Sequence, residues 1–167
     1  MYHSIKEFCE EWGHEATFTL KIFNALTNES LAQEVADGHR NLGRIAWHIV
    51  CTLPEMAQRM GLEMGDFDYE SAVPQTAQEI TDAYQQLAKK LVDAIHLDWD
   101  DDTLTTEVDM YGEKWMRAFG LKACVDHQIH HRGQMTVLMR QAGIRVPSMY
   151  GPAKEDWAQM SMEPPTV

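Results

Sequence analysis

The sequence has little positive charge for its length. Its 167 residues include 14 lysines and arginines against 26 aspartates and glutamates, which gives a formal net charge of −12 at pH 7. No basic stripe offsets this excess, and a chain so acidic repels the phosphate backbone of nucleic acids. We therefore expect no nucleic acid among its direct ligands.

Long apolar runs are also lacking, and charged side chains already occur within the first seven residues. This pattern fits neither a secretory signal nor a membrane span, so we expect a cytoplasmic protein that does not enter a membrane. The cysteines, Cys9, Cys51 and Cys124, stand alone without CxxC spacing. In a reducing compartment such residues are thiols rather than disulfides, and we expect them in the core.

Four long segments instead show the three- and four-residue spacing of apolar side chains that is typical of amphipathic helices. Their predicted bounds are residues 4–26, 40–60, 76–95 and 114–142. Thr76 and Glu79 fit a capping box at the start of the third helix, and Gly143 fits the position just after the fourth. Pro54 is expected to kink the second helix or to leave one carbonyl unpaired. Without a repeat or a linker, the pattern predicts one all-α four-helix-bundle domain over residues 1–167.

The connection between the third and fourth helices, LDWDDDTLTTEVDMYGE, is long and acidic. Its aspartates at 100–102 predict a solvated turn. The TLTTEV stretch has some extended character, but one short strand would leave the fold class unchanged. Beyond the bundle, the tail is expected to carry one further short helix after Pro152.

Three of the eight histidines fall within the stretch DHQIHHRGQM, residues 126–135. His127 and His131 are four residues apart, so they share one face of the fourth helix. A helix offers two imidazoles to a single metal at this spacing. The row that contains them is predicted to face inward and consists of Cys124, His127, His131, Gln134 and Leu138. His130 lies about 100° from His131 around the helix and is interpreted as a bystander.

The second helix offers a third candidate ligand in the phrase NLGRIAWHIV. His48 lies three residues after Ile45 and four before Thr52, on or beside the apolar stripe. Three neutral imidazoles with an open position suit zinc, while nickel, iron and copper are chemically admissible. The alternative is that these are core histidines hydrogen-bonded within the bundle, or an incidental pair on a polar helix. Four of the remaining histidines have no neighbour that indicates a role, namely His3, His14, His39 and His96.

Residues near these histidines suggest few catalytic groups. Gln134 is a candidate for orienting a water at the metal, although a polar residue bonded to the backbone explains it equally well. Cys51 and Cys124 each lie three residues from a proposed ligand, where they could join a mixed site, and we interpret them as core residues. Arg132 is expected to pair with a carboxylate. No inward Asp or Glu is evident as a general base, which counts against hydrolysis.

Three phrases, NLGRIAWHI, DHQIHHRGQM and the downstream PSMYGP, together resemble the DinB/YfiT-like superfamily, which is distinct from the DNA polymerase that shares the name. The resemblance covers nearly the whole chain in length and helix order. It implies a four-helix bundle in which one histidine of the second helix and two of the fourth hold a divalent metal, zinc or nickel. These match His48, His127 and His131.

The same resemblance implies a metal-dependent enzyme with a small-molecule substrate. Members of the superfamily include thiol S-transferases that act on low-molecular-weight thiols such as bacillithiol or mycothiol, a maleylpyruvate isomerase and proposed hydrolases. A homodimer and a link to the stress response are also implied. The alternative is a non-catalytic metal-binding protein, or a stress-induced interaction protein built on a helical bundle.

Overall fold

The computed structural model describes residues 1–166, and its main elements are four α-helices in the predicted order. They are α1 (Ile5–Asn24), α2 (Leu42–Arg59), α3 (Ala77–Asp98) and α4 (Arg117–Gln141). The smaller elements are strands β1 (Glu107–Met110) and β2 (Glu113–Met116), with 3₁₀ turns at Glu29–Ala32, Asp101–Thr105 and Lys154–Met160. The prediction of an all-α bundle is confirmed. Within residues 1–166, no helix is sufficiently long and apolar to cross a membrane.

The helices form a ring in which α2 lies beside α4. Helix α1 packs on α3 and α4, and α2 packs on the same two helices. Their apolar sides meet in one core, and the most deeply buried large rings are Phe8, Trp12, Phe23 and Tyr84. Burying a side chain such as Phe stabilises the fold by roughly 1.5–3 kcal/mol. The contact between α2 and α4 brings the histidines of these two helices to the same place.

Local sequence signals set several helix ends as predicted. The Thr76 hydroxyl accepts from the Glu79 N–H at 3.2 Å, and the Glu79 carboxylate accepts from the Thr76 N–H at 3.0 Å, which completes the capping box. Gly143 has a φ of 74°, and its N–H bonds the Arg140 carbonyl at 3.1 Å, as in a left-handed helix C-cap. Helix α2 continues through Pro54.

The predicted start of the fourth helix is wrong. The sequence predicts helix from residue 114, whereas Glu113–Met116 forms strand β2, antiparallel to β1, and α4 begins at Arg117. The hairpin turns at Tyr111 and Gly112, whose φ values of 61° and 87° fit a type I′ turn. Tyr is not among the residues that usually indicate this turn, so the sequence pattern did not predict the hairpin.

The acidic connection is more ordered than a solvated turn. Asp101–Thr105 forms a 3₁₀ turn, which the Asp100 side chain caps by accepting from the Thr103 N–H at 3.0 Å. Asp101 accepts from the Ile5 N–H at 2.8 Å. This segment therefore closes over the start of α1 and satisfies one of the unpaired N–H groups there.

The tail carries the predicted short helix as the 3₁₀ turn Lys154–Met160. Two ion pairs hold it against the end of the bundle, one between Arg140 and Glu155 and one between Arg145 and Asp156. The tail thus lies on α4 and on the segment that follows it.

Two glycines of α4 give a matched test of its packing. A Cβ added at Gly120 would lie 2.5 Å from the sulfur of Met60, which is fully buried, whereas one added at Gly133 would meet nothing within 4 Å. Replacing either residue by alanine removes the penalty of glycine in a helix, about 0.5–1 kcal/mol. We therefore expect Gly133→Ala to stabilise the chain by about that amount. Gly120→Ala is expected to be less stable than Gly133→Ala by about 1–3 kcal/mol, because Met60 must move.

Urea unfolding of both variants measures this difference. Equal free energies of unfolding would contradict the prediction and show that Met60 can relax at no cost. The gain in helix propensity is common to the two variants, so their difference reports the packing alone.

Candidate metal centre

Three histidines from α2 and α4 converge on one point. The Nε2 atom of His127 lies 3.2 Å from Nε2 of His48 and 3.1 Å from Nε2 of His131. His131 is buried, and the other two are half-buried. The ligand atoms of the three side chains all lie within 4.8 Å of one another. Within residues 1–166, no other group of three or more histidine, cysteine, aspartate or glutamate side chains is as close. The group could hold a metal ion.

The contacts between these rings suit a shared cation better than a hydrogen-bonded cluster. A neutral imidazole nitrogen carries either one hydrogen or one lone pair, so Nε2 of His127 can make only one well-directed hydrogen bond with its two neighbours. Four-coordinate zinc, with Zn–N bonds of about 2.0–2.1 Å, places its nitrogens roughly 3.3 Å apart. The observed spacings of 3.1 and 3.2 Å are close to that value. The donor set therefore fits a divalent metal of the zinc type.

Hydrogen bonds behind the rings turn their lone pairs toward the common point. The Oε1 atom of Gln134 can only accept, so its 2.7 Å contact with Nδ1 of His131 makes Nδ1 the protonated nitrogen. The hydroxyl of Thr52 donates to the Ile49 carbonyl at 3.0 Å, and its oxygen accepts from Nδ1 of His127 at 3.5 Å. In both rings Nε2 keeps its lone pair, which is how outer contacts orient metal ligands.

Burial also keeps these side chains uncharged. The loss of water around them lowers the pKa of His48 and of His127 to about 4, and it lowers the pKa of His131 as well. Neighbouring histidines add to the effect, and the positive charge of Arg40 lowers the pKa of all three. At pH 7 the rings are therefore neutral and their lone pairs are available to a metal.

A cavity of about 610 Å³ opens beside His131. Its apolar wall consists of Val35, Ile45, Val137 and Leu138. Its polar wall consists of His39, Arg40, His130, His131 and Gln134. Across the described part of the chain, no aspartate or glutamate lines this cavity. A small molecule that enters it would meet His131 directly.

The predicted inward row of α4 lies at the edge of the core-facing side rather than at its centre. Gln134 is exposed and His127 is half-buried. Gln134 therefore contacts His131 from the cavity and not from within the core. His130 is exposed and outside the ligand group, and its Nε2 accepts from the Gln134 amide at 3.1 Å.

The centre of the core-facing side holds polar residues that the sequence pattern did not identify. Arg132 and Gln128 are 1% and 0% exposed, and Arg132 pairs with Glu15, which is 6% exposed. Arg132 also donates to the Glu15 carbonyl and to the Thr19 hydroxyl, each at 2.8 Å. The expected pairing of Arg132 with a carboxylate is confirmed. The sequence pattern did not identify Glu15 as an inward-facing carboxylate, but this residue is paired with Arg132 and lies outside the histidine group, so it does not supply the general base whose absence was noted. A signal existed, because Glu15 and Thr19 continue the apolar stripe of Trp12 in steps of three and four.

The cysteines lie outside the histidine group. Cys51 and Cys124 are buried free thiols, so their interpretation as core residues is confirmed. Burial raises the pKa of Cys51 to about 11 and that of Cys124 to about 12, which keeps both protonated at neutral pH. Cys9 is only partly buried, with its sulfur 3.7 Å from Nε2 of His96.

The fold and the site together define the class of this protein. It is a four-helix bundle with a candidate three-histidine metal centre between its second and fourth helices. The model of the DinB family matches residues 1–165 of the chain. The chain belongs to the DinB family.

Relatives match it over most or all of their length. The chain is 41% identical over 167 residues to an uncharacterized protein of Bacillus subtilis (strain 168), YrdA, with 100% of both chains covered. The crystal structure of a DinB-like protein from Bacillus cereus is similar with a TM-score of 0.86 and 43% identity, covering 90% of this chain and 100% of that one. The DinB-like protein YjoA of Bacillus subtilis, at 16% identity, shares the fold with a TM-score of 0.68, covering 86% of this chain and 96% of that one.

Proposed function

We propose that this chain is a divalent-metal-dependent enzyme in which His48, His127 and His131 hold the metal, with zinc as the best-matched ion. The observation that carries the proposal is the convergence of the three Nε2 atoms, with those of His48 and His131 at 3.2 and 3.1 Å from that of His127. Three protein ligands leave a coordination position open, as catalytic zinc sites do. A metal bound there would supply Lewis acidity that lowers the pKa of a water or thiol.

Each part of the site has a defined task in such an enzyme. The hydrogen bonds of Gln134 and Thr52 keep two of the rings in one tautomer and orientation. Because the rings are neutral, they leave the charge of a divalent ion undiminished for a substrate. The cavity beside His131 admits a small molecule, and its apolar wall limits the water that enters with it.

The composition of the cavity favours transfer to a thiol over hydrolysis. Water as a nucleophile needs a group that takes its proton, and within residues 1–166 the wall carries no carboxylate. One of the histidines in the wall, His130, already accepts a hydrogen bond from Gln134. A thiol, with an unperturbed pKa of about 8.5, loses its proton far more readily than water does. We therefore place the activity nearer to a thiol S-transferase than to a hydrolase.

The metal content of untagged protein purified without chelator tests the proposal. We expect about one equivalent of divalent metal per chain by inductively coupled plasma mass spectrometry. Turnover of thiols with electrophilic acceptors should be abolished by a chelator and restored by metal. Absence of metal after reconstitution with zinc, nickel and iron salts would overturn the metal centre. One equivalent without turnover of thiols or esters would instead support a non-catalytic metal-binding protein.

The proposed enzyme is a cytoplasmic homodimer with a single domain. Large apolar side chains are exposed on the hairpin and the start of α4, where Tyr111, Met116 and Phe119 are 53%, 44% and 42% exposed. Exposed apolar patches mark interaction surfaces, so this face is the candidate for pairing. Light scattering on the purified chain should give twice the mass of one chain, and the mass of a monomer would contradict the expectation.

Gln134→Ala is expected to weaken metal binding about 10- to 100-fold, as the loss of an outer contact usually does. The reason is that His131 loses the acceptor that holds its Nδ1 proton. Gln141→Ala is the matched control, since Gln141 is an exposed glutamine at the end of the same helix. Competition with a chromophoric chelator measures both affinities. Equal affinities in the two variants would show that Gln134 does not position His131.

A further inference from the structure

The cavity beside His131 differs in charge from the molecule as a whole. The chain has a net charge of −12, yet the wall of this cavity includes Arg40 and, within residues 1–166, no acidic side chain. The ion pairs of the described residues occupy other lysines and arginines, and none includes Arg40. The Arg40 guanidinium is therefore available to a ligand.

The loop that carries Arg40 is tied at its base. Glu34 and Asn41 form a β-bridge across it, and the Leu42 N–H bonds the Gln33 carbonyl at 2.8 Å. These contacts hold residues 35–40 as a closed loop directly before α2. They keep Arg40 at the rim of the cavity, two residues before the first residue of the helix that carries His48.

We propose that this cavity binds a small molecule with a carboxylate at one end and an apolar body, with Arg40 holding the carboxylate while the other end lies at His131. The identity of the reaction rests on the proposed function, whereas the binding does not. A guanidinium matches a carboxylate with two parallel hydrogen bonds. Val35, Ile45 and the neighbouring apolar wall suit a hydrocarbon body.

Size and charge support the same ligand class. The volume of about 610 Å³ lies within the range of roughly 300–1,000 Å³ that is usual for small-molecule sites. One guanidinium balances the single charge of a carboxylate, whereas a phosphate monoester carries about −1.5 to −2. In the field of an acidic protein, a positive rim also concentrates anions at this cavity. Arg40 therefore determines specificity for carboxylates over neutral molecules of the same shape.

The test uses hexanoate, with hexanamide as its neutral analogue and hexyl phosphate as an alternative oxyanion. Affinities are measured by NMR shift titration of the full chain, metal-free and zinc-loaded. The variant Arg40→Gln removes the guanidinium, and Arg44→Gln is its matched control, because Arg44 is exposed nearby but lines a different cavity. We expect Arg40→Gln to weaken hexanoate binding about 10- to 100-fold, the loss for a charged hydrogen bond, and Arg44→Gln to leave it unchanged.

Each outcome decides between the alternatives. Equal affinities in the two variants, or hexanamide binding as tightly as hexanoate, would overturn the carboxylate site. Tighter binding of hexyl phosphate that also depends on Arg40 would overturn the choice of carboxylate. If no metal binds but Arg40→Gln weakens hexanoate in the metal-free chain, the metal centre fails and the carboxylate site stands. If zinc binds and Arg40→Gln has no effect, the carboxylate site alone fails.

Discussion

Replacing His131 by alanine is expected to lower the affinity of the chain for zinc roughly 100- to 1,000-fold, whereas His130→Ala should leave it unchanged. Zinc-binding free energies of about 10–16 kcal/mol for four-ligand sites correspond to roughly 2.5–4 kcal/mol per ligand. His131 directs Nε2 at the common point, 3.1 Å from Nε2 of His127. His130 lies one residue away on the same helix, is exposed, and is outside the ligand group. Comparing His131→Ala with His130→Ala therefore distinguishes metal binding at a defined site from binding by any histidine of the segment.

Affinity is measured by competition with a chelator, and circular dichroism shows whether each variant keeps its helices. Thermal unfolding gives an independent readout, because zinc at 100 times its Kd stabilises the wild type by about 2.7 kcal/mol. That corresponds to roughly 5–11 °C in Tm for a chain of this length, and His131→Ala should lose the shift. His48→Ala and His127→Ala are expected to behave like His131→Ala. Equal losses in His130→Ala and His131→Ala would contradict a defined centre and indicate binding by a histidine-rich surface.

Much of the fold could be predicted because helices are encoded locally. Apolar spacing and the capping residues Thr76 and Gly143 act within one or two turns, so they are visible in the sequence. The hairpin was missed because its strands have four residues each and depend on contacts made elsewhere. Tyr111 at the turn donates to Glu55 of α2 at 2.8 Å, and the Arg59 guanidinium lies 4.4 Å from its ring centre. A pairing between distant residues of this kind has no local signature.

The candidate site also has one part that the sequence predicts and one part that it does not. The grouping of His48 with His127 and His131 follows from helix periodicity, and the structure brings these residues together. Helix periodicity does not predict the cavity, because the loop that carries Arg40 has no regular spacing of apolar residues. The β-bridge between Glu34 and Asn41 holds this loop at its base. Hydrophobic periodicity also treats a polar residue as outward-facing. Arg132 and Glu15 contradict that rule, since each is the other's buried partner.

Arg132→Met is expected to lower the free energy of unfolding by about 3–5 kcal/mol, because it leaves a buried charge without its partner. The Glu15 carboxylate accepts from Arg132 and, at 2.6 Å, from the Tyr150 hydroxyl. Without Arg132, only the neutral Tyr150 would remain to stabilise it. For a chain of this length, the expected loss is roughly 6–20 °C in Tm. Urea unfolding followed by circular dichroism measures the free energy directly.

Two further variants show where the loss originates. Arg140→Met is the matched control on the same helix, because the Arg140–Glu155 pair is 41% and 38% exposed and such pairs contribute little to stability. The double variant Arg132→Met with Glu15→Met replaces both charges by apolar side chains and should recover most of the loss, since the unpaired carboxylate is gone. A double variant as unstable as the sum of the two single variants would contradict this account. It would show that Arg132 and Glu15 stabilise the bundle independently, through packing and separate hydrogen bonds, rather than as an ion pair between α1 and α4.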